Sequence, residues 1–378
     1  MAAPHVTLVA GEASGDSHAA KLVAGLRELV PGLTVSGIGG EALAAQGMEI
    51  LFPAEELSLV GFSEVLPKLR LILGALKTLK EHMAVRRPGL VILVDFPDFN
   101  FRVGRAAHKL GLKVLYYISP QVWAWRPGRA RAMARFVDHL ACVFPFEKDF
   151  FAGRAPGLPV SFVGHPLLDD PELAADQPPL AELPGENWVG LLPGSRMSEV
   201  HRLLPVMRQA AEIMHQARPD LSFVLPVAPG LSEAQLAPFL GGLPPWLTLV
   251  PGRSWEVMRR ARVLLLASGT ASLQAAVAGT PMVVVYKTGN FNYQLARRLV
   301  KVDHIAMPNL IFGGPLVPEL IQDAATPEAL AHQGLELWEN PARRENMLQG
   351  MREVRQRLGG PGASRRTAEL ARELLERD

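Results

Sequence analysis

Several clusters of polar residues in this 378-residue chain directly follow apolar runs, where their side chains could hold or activate a ligand. Pro193-Gly194-Ser195-Arg196 follows Trp188 to Leu192 and precedes a helically periodic stretch with Val200, Leu203, Leu204, Val206, Met207 and Ile213. A glycine turn lets backbone approach an anion, a helix start presents unpaired N–H groups, and Arg196 adds a fork of charged donors. Ser268-Gly269-Thr270-Ala271-Ser272 repeats this pattern after Val263 to Ala267, with three hydroxyls. Taken singly, each has an ordinary explanation: a capped turn with a surface arginine, or a Ser/Thr N-cap that stabilises a helix by ~1 kcal/mol without a ligand. Two such loops in one domain, opening at the same sheet edge, favour a diphosphate seat. A helix N-terminus contributes about 0.3–2 kcal/mol toward an anion, and a charged hydrogen bond from Arg196 about 1.5–3 kcal/mol. Together they suit a diphosphate leaving group without magnesium. The chain has no Asp-x-Asp and no His or Cys cluster at ligand spacing, so neither metal nor cofactor is expected.

The first half carries different chemistry. Gly11-Glu12-Ala13-Ser14-Gly15-Asp16 also links a strand to a helix, but its two carboxylates would repel pyrophosphate, so Glu12, Ser14 and Asp16 suit sugar hydroxyls. The plainer role for Asp16 is to cap a helix beginning at Ser17. Leu90 to Val94 runs into Asp95-Phe96-Pro97-Asp98-Phe99-Asn100, placing two acids and the Asn100 amide just past a strand's carboxyl end. Pro97 biases Phe96 away from helix, so at least one acid should project into a cleft. Flanked by Phe96, Phe99 and Phe101, such a carboxylate is expected to have a raised pKa and to serve as general base, worth about 10² to 10⁴ in rate; the alternative is that Asp98 caps the following helix. Tyr116 to Arg126 then interleaves aromatics, Trp123 and Trp125 among them, with Arg126 and the later Arg129, Arg131 and Arg135. Such a segment binds a phosphorylated ligand, stacks single-stranded nucleic acid, or simply anchors a basic surface helix.

These loops need a scaffold of alternating strands and helices, and the apolar pattern supplies one. Short runs rich in β-branched residues occur at His5 to Ala10, Leu90 to Asp95, Lys113 to Ile118, Leu140 to Phe144 and Val160 to Val163. The second half has Trp188 to Leu192, Ser222 to Pro226, Val263 to Ala267 and Met282 to Tyr286. Each is the length of a doubly buried parallel strand, and the segments between are long enough for crossover helices. The expected fold is α/β, with two Rossmann-like βα domains facing a cleft. Asp169 to Asn187, with six acids, no bases and four prolines, reads as a solvated linker. This gives domains at 1–168 and 188–340, the linker 169–187 between them and a helical tail at 341–378. That tail suits bracing either the first domain or the second subunit of a homodimer.

Composition limits the remaining classes. With 48% hydrophobic and 20% charged residues, the chain is neither disordered nor a multi-span membrane protein. Its net charge of +2 argues against a nucleic-acid partner. The single Cys142 cannot form an intrachain disulfide, which fits a reducing cytoplasm, and the start does not read as a signal peptide. From Leu66 to Arg87, six bases and one acid, Glu81, are mixed with Leu66, Leu69, Leu71, Ile72, Leu73, Leu76, Leu79 and Met83. This suits helices resting on an anionic membrane surface, although a core-packed amphipathic helix is the commoner use of such a pattern.

Several of these residues belong to an ordered set of motifs: Gly11 to Asp16, Gly37 to Gly40, Leu57 to Glu64, Asp95 to Arg102, Tyr117 to Arg126, Gly164-His165-Pro166, Leu192 to Arg196, Ser268 to Ser272 and Pro308-Asn309-Leu310. With them the chain resembles the lipid A disaccharide synthase family, metal-independent inverting glycosyltransferases of the two-Rossmann GT-B type. The resemblance implies transfer of 2,3-diacylglucosamine from UDP-2,3-diacylglucosamine to the 6-hydroxyl of 2,3-diacylglucosamine 1-phosphate, forming a β-1,6 disaccharide and UDP. It points to Asp98 as base, to Arg196 with the Gly269 to Ser272 loop as the UDP phosphate seat, and to Asn309 in the donor pocket. Acyl-chain substrates make the Leu66 to Met83 surface a membrane contact, and imply a cytoplasmic protein peripherally associated with the inner membrane. One departure is Gln274, where many nucleotide-sugar transferases place a ribose-binding Glu; an amide still accepts a hydrogen bond but lacks the charge. Two other readings remain: a UDP-sugar 2-epimerase, which would alter a monosaccharide rather than make a disaccharide, and a noncatalytic nucleic-acid-binding protein, whose binding would be salt-sensitive and independent of UDP.

Overall fold

The computed structural model describes residues 3–58, 65–170, 187–289, 293–294 and 302–377. It divides into two compact units, Met1–Asp170 with Leu358–Asp378, and Pro171–Arg357. In place of a linker at 169–187, Asp169 and Asp170 belong to the first unit; residues 171–186, like 59–64 of the Leu57 to Glu64 motif, lie outside the described residues.

The first unit holds one parallel sheet of β1 (His5–Ala10), β2 (Thr34–Gly39), β3 (Glu49–Pro53), β4 (Leu90–Val94), β5 (Val114–Tyr117), β6 (His139–Cys142) and β7 (Val160–Phe162), in spatial order β3-β2-β1-β4-β5-β6-β7. The second holds β8 (Trp188–Leu192), β9 (Ser222–Val227), β10 (Leu247–Pro251), β11 (Val263–Ala267), β12 (Met282–Tyr286) and β13 (Glu319–Ile321), in order β10-β9-β8-β11-β12-β13. β4, β8 and β11 are buried at every residue, as expected when helices cover both faces. Strand order reverses between β1 and β4 and again between β8 and β11, which gives each sheet a ligand-accepting crevice at its carboxyl edge.

The helices follow their apolar spacing. Met197–Ala217 turns Val200, Leu203, Leu204, Met207, Ala211 and Met214 inward at intervals of three and four. In Val65–Arg86, Ala75, Leu76, Leu79 and Met83 pack into the first unit's core, while Leu73 and Val85 are exposed. Among the described residues, no helix is long and apolar enough to cross a membrane.

Residues 341–378 do not act as one tail. Pro341–Arg357 packs on the second unit's Thr270–Ala278 helix, whereas Ala363–Glu376 packs on the first unit's Ala13–Leu29 helix. Asp169 fixes this return: its carboxylate accepts hydrogen bonds from the amides of Gly362 (2.5 Å), Ala363 (3.2 Å) and Ser364 (2.9 Å). Burial works to raise the Asp169 carboxyl, but these amides hold it below its ordinary value. A depressed folded pKa contributes stability that is present above the unfolded value and lost as pH falls toward the folded one. Asp169→Ala should therefore cost about 0.5–2 kcal/mol, seen as faster amide hydrogen exchange across residues 363–376. Acidifying the unchanged protein below the usual carboxylate range should have the same effect.

Candidate active site

In the second unit, the two glycine loops come together as expected. A cavity of about 410 Å³ at the β8/β11 crevice is lined by Pro193, Gly194, Ser195 and Arg196 on one side and Ser268, Gly269, Thr270, Ala271 and Gln274 on the other. Gly194 has φ of +110°, and a Cβ there would lie 2.1 Å from a Glu199 carboxylate oxygen, so only glycine fits this turn. Neither helix start has a side-chain cap: Arg196 and Gly269 occupy the N-cap positions of Met197–Ala217 and Thr270–Ala278. The Arg196 guanidinium is exposed and only 3.9 Å from Glu199, a loose contact that an anion can displace. Pro226 of β9, Ala228 and Pro229 just after it, and Ser254 and Met258 of the helix Ser254–Arg260 complete the lining.

Two residues assigned to this site have other partners. Ser272 is fully buried and its hydroxyl donates to the Gly269 carbonyl (2.7 Å). Asn309 is also buried: its amide nitrogen donates to the Val317 carbonyl and to Glu319, and its oxygen accepts from the amides of Leu316 and Val317. Both organise the backbone and neither lines the cavity.

In the first unit, the loops after β1 and β4 flank the sheet's reversal point, but their acids divide differently from expectation. Asp98 is the exposed one: its carboxylate is 71% accessible and pairs with Arg129 (2.5 Å) and more loosely with Arg126 (3.9 Å). Asp95 has the raised pKa expected of a carboxylate among these phenylalanines. Burial, and then the nearby Glu12 carboxylate, push it up to about 6. Asp95 and Phe96 both have φ of 45°, a left-handed pair that costs about 1–3 kcal/mol per residue. The turn is held because Tyr116 donates its hydroxyl hydrogen to the Asp95 carbonyl (2.6 Å), while the Asn100 amide donates to the carbonyls of Val94 and Asp95. Asn100 is thus a backbone clamp, wholly buried. The left-handed turn also lays the Phe96 ring where a Cβ on Gly11 would lie 2.3 Å from it, which accounts for glycine at that position.

Asp16 caps neither a helix at Ser17 nor a ligand. The helix begins at Ala13, and the buried Asp16 carboxylate accepts from the amides of Gly40 (2.6 Å) and Ala42 (2.9 Å), capping the short helix Glu41–Ala45. Glu12 and Ser14 are exposed at the strand edge. Trp123 is 9% exposed and donates its indole N–H to Glu147, whereas Trp125 is 38% exposed with the Arg126 guanidinium stacked 4.2 Å above its ring. Glu147 was missed in the sequence. Burial pushes it up to about 7, against hydrogen bonds from the amides of Phe144 and Val143 and from Trp123. Its signal was the helix-start pattern Pro145-Phe146-Glu147 after a strand.

A family model described as lipid-A-disaccharide synthetase matches residues 6–374. The lipid-A-disaccharide synthase of Nitrosococcus oceani is 44% identical over 378 residues, covering 99% of this chain and 97% of that protein. The lipid-A-disaccharide synthase of Myxococcus xanthus is 44% identical over 376 residues, covering 98% of each. Among solved structures, the chain is similar to the UDP-GlcNAc 2-epimerase of Neisseria meningitidis bound to UDP-GlcNAc (TM-score 0.68, 13% identity, 98% of this chain and 100% of that one) and to a kitacinnamycin glycosyltransferase (TM-score 0.66, 18% identity, 98% and 99%). At those identities the likeness shows the fold alone, two Rossmann-like α/β units.

The half-buried Asp95 makes a stability test of the first-unit site. Because its folded pKa is raised, the folded state binds more protons than the unfolded chain between the ordinary 3.8 and about 6, and stability falls as pH rises through that window. Asp95→Asn removes the charge while keeping the shape. At neutral pH it should raise unfolding stability by about 1–3 kcal/mol, read from urea midpoints, and the gain should vanish near pH 4.

Proposed function

The chain belongs to the lipid-A-disaccharide synthetase family, and from that premise we propose how its residues divide the work. The reaction transfers 2,3-diacylglucosamine from its UDP donor to the 6-hydroxyl of 2,3-diacylglucosamine 1-phosphate, with inversion, releasing UDP. The observation that carries the division is the second-unit cavity, where two uncapped helix starts and one loosely held guanidinium open together. That arrangement suits the UDP diphosphate: amides and Arg196 meet the charge that grows on the leaving oxygen as its bond to the anomeric carbon breaks. Gln274, on the cavity wall, takes the place of the charged ribose acceptor as a neutral one.

Deprotonation of the acceptor falls to Asp95 rather than Asp98. A base needs an available carboxylate with a pKa near working pH; Asp95 is held up to about 6, whereas Asp98 is engaged by Arg129. Asp95 takes the 6-hydroxyl proton as that oxygen bonds to the anomeric carbon and UDP departs with the bonding pair. Glu12 and Ser14, exposed beside it, suit the acceptor's remaining polar groups.

Both substrates carry acyl chains, which supports contact between the Val65–Arg86 helix and an anionic membrane surface on the cytoplasmic side; the side chains of residues 65–69 lie outside the described residues. Of the described residues there, Leu73 projects outward while Ala75, Leu76 and Leu79 are committed to the core.

Arg196→Ala should weaken UDP binding about 10- to 100-fold in calorimetry; unchanged affinity would move the diphosphate elsewhere. Asp95→Asn should lose at least about 10²-fold in turnover at unchanged UDP affinity. In the unchanged protein, activity should fall as pH drops through about 6, because the base becomes protonated. Asp98→Asn should keep that pH break. Leu73→Glu should reduce co-sedimentation with anionic vesicles. An epimerase would give an altered monosaccharide in place of the disaccharide, so product analysis separates the two readings.

A further inference from the structure

The pairing of Asp98 with Arg126 and Arg129 has no evident structural purpose. Exposed ion pairs contribute about 0–1 kcal/mol to stability, and here the carboxylate is 71% and Arg126 46% accessible. Both guanidinia are nevertheless fixed in direction. Arg126 stacks 4.2 Å above the Trp125 ring, Arg129 lies 5.1 Å from the Phe101 ring, and both converge on the same Asp98 oxygen. Within this triad, two positive charges face one negative charge, which leaves a net positive site on an exposed surface. A phosphate monoester carries up to two negative charges on three terminal oxygens, enough to give each guanidinium an oxygen pair where the single carboxylate cannot.

We infer that Arg126 and Arg129 form the seat for the phosphate monoester of the acceptor sugar, with Asp98 holding the two guanidinia in place until that phosphate arrives. This rests on the reading of the first unit as the acceptor side, and it adds what recognises the acceptor there. The spacing fits. Asp95 and Asp98 are three residues apart, so their Cα atoms are separated by at most about 11 Å. The carboxylate that takes the proton and the anchor of the anion seat thus sit on the same short segment, as recognition of both ends of a single sugar requires. Stacking on Trp125 and Phe101 also lowers the ordering cost of two long side chains, so binding energy is not spent on arranging them.

The test uses the full chain in detergent micelles with two acceptors, 2,3-diacylglucosamine 1-phosphate and the same lipid without its phosphate, following UDP release. The unchanged protein should prefer the phosphorylated acceptor in kcat/KM by about 10- to 100-fold for each guanidinium engaged. Arg126→Ala and Arg129→Ala should each cut that preference about 10-fold or more through the acceptor KM, with UDP affinity unchanged as the check on folding. Arg129→Lys, which keeps charge but loses the fork, should fall between. If both alanine variants slow the two acceptors equally, or leave the preference intact, the inference is overturned. If the unchanged protein releases no UDP with either acceptor, the glycosyl-transfer reading fails instead.

Discussion

A parallel sheet covered by helices has few places where a ligand can reach the backbone, and the most open is the carboxyl edge where strand order reverses and the flanking loops lead to opposite faces. Each unit here has one such reversal, and the polar residues of interest gather at it. The consequence is chemical. Loops at a reversal begin helices, so they offer amides oriented by the fold itself, and only a few side chains are needed to tune each site. In the second unit that tuning is one arginine above two uncapped helix starts.

The first unit is tuned by the opposite means. At the turn after β4 it withdraws a carboxylate partly from water near another carboxylate and accepts two left-handed residues in succession to do so. Tyr116 and Asn100 exist in this arrangement to hold the carbonyls of that turn. The neighbouring acid, one turn onward, is left in water between arginines. Two aspartates in the same short segment therefore have unlike chemistry because one peptide turn faces them in different directions.

That distinction could not be read from the residues. Pro97 announces that Phe96 is not helical, but it does not say that Asp95 and Phe96 adopt positive φ, and this decides which acid is the more withdrawn from water. The glycine loops were legible because strand, glycine and helix start form a local pattern. β2 was hidden by its two glycines and a serine, while β3, β10 and β13 are partly exposed edge strands in which Glu, Thr or Pro interrupts the apolar run. Asp16, Asn100, Ser272 and Asn309 illustrate the general difficulty. A side chain that satisfies a backbone group has the same type and spacing as one that awaits a ligand, and only its partners in the fold tell them apart. Trp123 and Trp125 are the aromatic version: the buried one is selected by Glu147, more than twenty residues away.

The return of Ala363–Glu376 to the first unit has a bearing on biosynthesis. On a ribosome the segment up to Asp170 emerges without this helix, leaving uncovered the face of Ala13–Leu29 around Gly25, which packs against Arg365 and Ala368. At 5–20 residues per second the wait is about 10–40 s. During translation, then, the amino-terminal lobe is a sticky, half-made body whose closing piece is encoded only after the whole second unit, and chaperones that shield nascent apolar surface have a defined interval in which to act.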